Sequence, residues 1–149
     1  MAKYVAIELF AGIGGMSLGF ASAGFRLAAA VEKDPIHAVG HALNFPSCAT
    51  IIENVATLSG EDIRYAAGLK RSADVHVLFG GPPCQGFSLS GKRDVADPRI
   101  TLFRHYLRFV ATLRPSVAVI ENVRLLTSMK NPSGTMVALT LPGQAHPAA

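Results

Sequence analysis

The sequence predicts a parallel, helix-flanked α/β sheet, and three observations predict it. Five short apolar runs recur along the 149 residues, separated by stretches with helical periodicity or helix-boundary residues. Strands alternating with helices build a parallel sheet covered on both faces. Several of the runs lead directly into glycines or into an acid, the chemistry that such sheets carry at their strand ends. There is no internal repeat.

Taken in order, Tyr4 to Leu9 is an apolar strand running into Gly12, Gly14 and Gly15. Met16 to Ala23 reads as a helix that Gly24 stops. Leu27 to Val31 is a second strand, followed by Glu32. Pro35 then starts a helix on which Ile36, Val39 and Leu43 share one face, closed by Asn44 and Pro46. A weaker strand covers about Thr50 to Ile52. Ser59 with Asp62 resembles a capping box opening a helix to about Leu69, with Asp in place of the usual Glu. Val75 to Phe79 is the fourth strand, and a long loop follows from Gly80 to about Ile100. Loops of that length in compact domains are commonly functional. From Leu102 onward, Phe103, Tyr106, Leu107, Val110 and Leu113 make one apolar helical stripe, with Arg104 and Arg108 on another face. Pro115 ends that helix, and Val117 to Ile120 is a fifth strand delivering Glu121.

Half the residues are hydrophobic and 16% are charged, enough for a substantial core and unlike a disordered chain. The length fits one domain. Between Lys92 and Arg114 lie six basic residues against Asp94 and Asp97, an excess equal to the whole chain's +4. A concentrated basic face suits a polyanionic partner, although Arg104 and Arg108 alone describe a solvated helix face equally well. Cys48 and Cys84 are the only cysteines, and their spacing matches neither a zinc site nor a disulfide framework. Glu8 and the glycines interrupt the first apolar run, so neither a signal peptide nor a membrane span is expected. The expected setting is a reducing cytoplasm, which keeps Cys84 a thiol.

Two places carry chemistry. Gly12, Gly14 and Gly15 between a strand and a helix form a turn that lets backbone approach a ligand closely. Glu32 lies 20 residues after Gly12 at the end of the next strand, where an acid can accept from both ribose hydroxyls of a nucleoside cofactor. That spacing fits NAD as well as S-adenosylmethionine, but Ser17 stands where the dinucleotide fingerprint wants its last glycine, which disfavours NAD. The second place is F-G-G-P-P-C-Q-G-F-S, from Phe79 to Ser88. Pro82 and Pro83 stiffen the backbone just before Cys84, as a preset nucleophile requires. Taken alone, Pro-Pro-Cys also describes a structural turn with an inert thiol.

The nine residues G-G-P-P-C-Q-G-F-S resemble the catalytic motif of the cytosine-specific C5 DNA methyltransferases. Three further stretches resemble the same family in the same order: E-L-F-A-G-I-G-G from Glu8 to Gly15, V-E-K-D-P from Val31 to Pro35, and E-N-V from Glu121 to Val123. Gly91 to Arg99 is similar to the family's post-catalytic loop, and the resemblance covers about residues 4 to 130. It implies a Rossmann-like S-adenosylmethionine-dependent methyltransferase fold, incomplete here, and a reaction that methylates C5 of a flipped cytosine in double-stranded DNA. It implies no metal, and a cytoplasmic location with access to a nucleoid.

The resemblance places Phe10, Ala11, Gly12, Gly14 and Gly15 around the methionine moiety, Glu32 on the ribose, and Lys33 and Asp34 near the adenine edge. Leu102 falls in the segment that packs against the cofactor. Asn54 stands where the family has an aspartate for the adenine amine; its amide oxygen can accept the same hydrogen bond without the charge. Cys84 corresponds to the nucleophile that adds to C6, and Glu121 to the carboxyl group beside N3. Ser88, Lys92 and Arg93 become candidate phosphate contacts within a clamp from Gln85 to Arg99. Glu8 replaces the more usual aspartate.

The resemblance fades after Val123. Residues 1–130 are therefore expected to be the N-terminal part of the catalytic domain, and 131–149 an irregular tail. The target-recognition domain and the motif that completes the cofactor pocket are not found in these 149 residues, so a separate chain could carry them. Two other readings remain at this level: a cofactor-binding module without catalysis, and an inactive remnant.

Overall fold

A computed structural model of the chain describes residues 4–82 and 98–121. Its order is β1 (Val5–Leu9), α1 (Gly15–Ser22), β2 (Arg26–Glu32), α2 (Pro35–Asn44), β3 (Ala49–Ile52), α3 (Gly60–Ala66), β4 (Val77–Gly80), α4 (Pro98–Leu113) and β5 (Val117–Ile120). The five strands form one sheet in the order β3-β2-β1-β4-β5, and every pairing is parallel. The chain works outward from β1 to one edge, then returns to β4 and the other edge. The reversal falls between β1 and β4, and ligands bind outside the strand carboxyl ends at such a switch point.

Burial explains the strand sequences. β1, β2 and β4 are buried along nearly their whole length, and apart from Glu8 their interior positions are apolar rather than alternating. On one face Ile7, Leu9, Ala29, Val31 and Leu78 pack with Ile63 of α3 and Tyr106, Phe109 and Leu113 of α4. On the other, Ala6, Leu27, Ala30, Val77 and Phe79 pack with Met16, Phe20 and Phe45. Phe20 stacks on Phe79 at 4.0 Å between ring centroids.

The local signals at the helix starts are realised. The Asp34 side chain accepts from the Ile36 and His37 amides ahead of Pro35, and Gly24 sits at φ 86° just beyond α1. Ser59 and Asp62 complete the expected capping box, with Asp62 Oδ2 accepting from the Ser59 amide at 2.7 Å. The last strand-linking helix starts earlier than expected, at Pro98 rather than Leu102. Proline at a helix start loses no hydrogen bond.

The tertiary structure decides two faces that periodicity leaves open. Ile36, Val39 and Leu43 do share a face of α2, but it is the outer one: they are 80%, 53% and 78% exposed, while Ala38 and His41 are buried. The alanine-rich β2 admits only a small side chain opposite it, and His41 is accepted inside because polar partners meet it there. Arg108 does not extend a basic surface beside Arg104. Its guanidinium donates to Leu58 O at 2.8 Å and Val55 O at 2.6 Å and lies 4.5 Å from the Phe109 ring centroid. It is thus consumed in tying α4 to the chain before α3. Arg104 is exposed. The tail expected over 131–149 lies outside the described residues.

Candidate active site

The strand ends place Gly12, Glu32 and Glu121 at one end of the sheet. The turn after β1 comes first. Phe10, Gly12 and Gly14 all have positive φ, at 58°, 54° and 97°. For the aromatic Phe10 that backbone is strained, which costs on the order of 1 kcal/mol and characterises functional turns. The turn is held by Ala11 N donating to Val31 O at 3.1 Å and Gly14 N donating to Ala11 O at 3.0 Å. A side chain on Gly14 would strike the Phe45 ring, its Cβ lying 2.3 Å from Cε2, so glycine is required there. Nothing lies within 4 Å of a Cβ built on Gly12 or Gly15, which leaves the outer side of the turn open.

Glu32 closes this turn from the end of β2. One carboxylate oxygen accepts from the Gly12 amide and the other from the Asp34 amide, each at 2.8 Å. Each oxygen keeps a lone pair for a further donor. A fixed carboxylate with two free acceptor sites beside an open glycine turn suits a vicinal diol such as a ribose. The residues present therefore fit a nucleoside cofactor.

The other expected cofactor residues are distributed more widely. Ala11 is buried, Lys33 is exposed, and Phe10 and Leu102 both pack against the core face that carries α3 and α4. The Asn54 side-chain oxygen accepts from the Ala56 amide at 3.0 Å, which orients the amide at the end of β3 and occupies one of its two lone pairs.

At the opposite side of the switch point, Glu121 follows β5 and its amide donates to Gly80 O at 3.1 Å. Its side chain lies against Gly81: a Cβ there would come within 2.9 Å of Glu121 Oε2. The carboxylate is thereby set beside the start of the Gly-Gly-Pro-Pro turn. Gly80 passes so close to β1 that a Cβ would fall 2.0 Å from Leu9 O. Cys84, Ser88, Lys92 and Arg93 lie outside the described residues; Cys84 follows two positions after Pro82. Among the described residues no cluster of three or more His, Cys, Asp or Glu could hold a metal ion, and no helix is long and apolar enough to cross a membrane.

One group joins Glu8, the first residue of its motif, to side chains that no motif contains. Glu8 of β1 is 2% exposed, and Ser17 and His41 are fully buried beside it. Ser17 Oγ donates to Glu8 Oε2 and stands 3.1 Å from His41 Nε2; His41 Nδ1 stands 3.0 Å from Thr50 Oγ1. Burial pushes the Glu8 carboxyl up to about 7 against the lowering effect of the Ser17 hydrogen bond, with the Glu32 charge pushing the same way as burial. Burial likewise holds His41 below the ordinary histidine value, in its neutral form. Ser17 drew notice in the sequence only as the departure from a dinucleotide fingerprint, and that departure was its one signal.

A parallel sheet with a glycine turn and a carboxylate accepting from that turn beside its switch point is the frame of a nucleoside-cofactor-binding α/β protein, here with a second carboxylate, Glu121, after β5 on the far side of the switch point. Within that class, the chain belongs to the C-5 cytosine-specific DNA methylase family, whose model matches residues 4–140. It is 49% identical over 131 residues to the type II methyltransferase M.XorII of Xanthomonas oryzae pv. oryzae, covering 88% of this chain and 31% of that protein. It is 44% identical to M.DdeI of Desulfomicrobium norvegicum over 85% of this chain and 29% of the relative. A solved E. coli prophage-encoded protein described as a DNA modification methyltransferase superposes with a TM-score of 0.64 at 39% identity, over 76% of this chain and 30% of that one. The chain thus spans about a third of the length of these relatives.

Proposed function

We propose that residues 1–130 form the N-terminal part of the catalytic domain of a DNA (cytosine-5-)-methyltransferase that uses S-adenosylmethionine. The observation that carries this reading is the seating of Glu32 against the Gly12 amide at the same end of the sheet where Glu121 lies against Gly81. Phe10, Ala11, Gly12, Gly14 and Gly15 surround the methionine end, Glu32 holds the ribose, and Lys33, Asn54 and Leu102 border the adenine and its packing surface. When bound, S-adenosylmethionine supplies an electrophilic methyl group.

The chain's own residues supply the rest. C5 of cytosine is a poor nucleophile, so Cys84 adds as a thiolate to C6, forming the Sγ–C6 bond and shifting the C5–C6 π electrons toward C5 and the ring amidine. Glu121 stabilises the charge that builds at N3 during that addition. After C5 is methylated, loss of the C5 proton expels Sγ and restores the double bond. The target base must leave the duplex to reach Cys84, at a cost of a few kcal/mol. Ser88, Lys92 and Arg93 contact phosphates of the double-stranded DNA, positioning it without reading sequence. Segments corresponding to the rest of the relatives complete the enzyme, in the same polypeptide or in a partner chain, and the reaction takes place in the cytoplasm.

Covalent trapping tests this reading. The chain is incubated with S-adenosylmethionine and a duplex containing 5-fluorocytosine, with and without a C-terminal half from a relative, and intact mass is recorded. An adduct is expected in the complemented sample. Cofactor affinity without an adduct would indicate a binding module, and loss of both would indicate a remnant.

A further inference from the structure

We propose that Glu8, Ser17, His41 and Thr50 are positioning residues: a buried hydrogen-bond relay that holds the Phe10–Gly14 turn in its cofactor-binding shape. The inference rests on the cofactor reading above and extends it to residues that touch no ligand.

The four side chains come from four different elements. Glu8 is in β1, Ser17 in the first turn of α1, His41 in α2 and Thr50 in β3. They meet on the sheet face that carries α1 and α2, directly beneath the turn. The donors can be assigned. Ser17 has one hydroxyl proton and gives it to Glu8 Oε2. The contact at 3.1 Å between Ser17 Oγ and His41 Nε2 therefore needs the proton on nitrogen. A neutral His41 protonated at Nε2 has a bare Nδ1, which accepts the Thr50 hydroxyl at 3.0 Å. The relay runs one way, from Thr50 through His41 and Ser17 to Glu8, and every member is satisfied. This direction holds with the Glu8 carboxylate as the final acceptor. The remaining ionisable groups around Glu8 are Glu32 and Cys48, and burial keeps the Cys48 thiol protonated, pushed up to about 12.

The relay reaches the turn through α2. With both ring nitrogens engaged, the His41 ring is fixed in orientation. It forms the floor under Gly14, 3.1 Å from the position of a Gly14 Cβ, next to the Phe45 ring. One turn of helix further on, Asn44 Nδ2 donates to Ile13 O at 2.9 Å. Ile13 and Gly14 are thus set by α2, while Gly12 is set by Glu32. An apolar cluster would be a cheaper way to fill this space, since buried polar groups stabilise only when fully paired. What the polar version adds is direction, and the turn it supports holds Phe10 in strained backbone.

The test uses the 149-residue chain. Long-range 1H–15N NMR on the wild type is expected to show His41 as the Nε2–H tautomer; an Nδ1–H tautomer would overturn the relay. Thr50→Val removes the terminal donor at nearly constant shape, and Ser17→Ala removes the centre. In both, the Gly12 and Gly14 amides should exchange about tenfold faster with solvent while core amides such as Leu9 and Leu78 hold their rates. Thr50→Ser, which keeps the hydroxyl, should stay close to wild type. Unchanged glycine amides, or a uniform rise across the core, would sink the positioning role. S-adenosylmethionine affinity by calorimetry should fall about tenfold in Thr50→Val. Wild-type binding with equal affinity in both variants overturns the inference. A wild type that fails to bind, with the exchange pattern as expected, overturns the cofactor reading and leaves the relay standing.

Discussion

At the residue scale, Cys84 and Glu32 divide the proposed chemistry. Cys84→Ser should abolish adduct formation with 5-fluorocytosine DNA in the complemented enzyme while leaving cofactor affinity close to wild type. Hydroxyl is a far weaker nucleophile than thiolate near neutral pH. Persistence of the adduct in the serine variant would remove Cys84 from the attacking role. Glu32→Ala deletes the acceptor for the Gly12 and Asp34 amides as well as the expected ribose partner, so S-adenosylmethionine binding should weaken by about 1–3 kcal/mol in calorimetry. Glu8 gives a pH signature. Its carboxyl is pushed from 4.5 up to about 7, so the folded state holds the proton more tightly than the unfolded chain. Its stabilising contribution is complete below pH 4.5 and is lost as pH rises toward 7, by at most about 3 kcal/mol. His41 acts in the opposite sense, because its lowered value withdraws stability as pH falls below 6.5. Denaturant titrations of wild type and Glu8→Gln isolate the first effect: the difference between them should fall as pH rises from 5 to 7, and a pH-independent difference would contradict the burial of an ionisable Glu8.

At the element scale, the close approach of β1 and β4 is the most demanding contact. Gly80→Ala would place a methyl 2.0 Å from Leu9 O in the middle of the sheet, and the backbone there has no flexible side chain to give way. The variant should lose more than about 3 kcal/mol in denaturant unfolding. Retained stability would mean that β4 can shift without cost. The helices show how far periodicity can be trusted. On α4 the core face keeps Leu102, Tyr106, Val110 and Leu113 of the expected stripe and adds Phe109, while Phe103 and Leu107 belong to neither core cluster; Tyr106 OH shares its proton between Leu78 O and Val119 O, at 2.9 and 3.0 Å. On α2 the equally regular Ile36, Val39 and Leu43 face outward. Periodicity states which residues share a face and leaves open which face meets the sheet. That is settled by the volume left between elements.

At the scale of the whole molecule, the described residues hold the two carboxylates, Glu32 and Glu121, to which our proposal gives the cofactor and the base, and the family match runs through residue 140. The curated relatives M.XorII and M.DdeI are about three times longer than the matched stretch. Flipping a base costs a few kcal/mol that DNA contacts must offset, and on our reading most of those contacts come from the remaining length. The 149 residues alone should therefore transfer little labelled methyl from S-adenosylmethionine to mixed-sequence DNA, and addition of a C-terminal half from a relative should restore transfer. Robust methylation by these residues alone would refute that division of labour.

The α/β class, the succession of strands and helices among the described residues, and the positions of Gly12, Glu32 and Glu121 at strand ends are legible in the amino-acid order alone. These properties are encoded locally: apolar runs specify strands, and Ser59–Asp62 and Asp34–Pro35 specify helix starts within a few residues of themselves. Tertiary structure alone decided the strand order, the burial of Arg108 against two carbonyls, and the meeting of Glu8, Ser17, His41 and Thr50. Ser17 and His41 are 24 positions apart and carry no shared motif. A polar side chain in the interior is selected by partners that folding brings to it, and those partners leave no periodic trace in the chain.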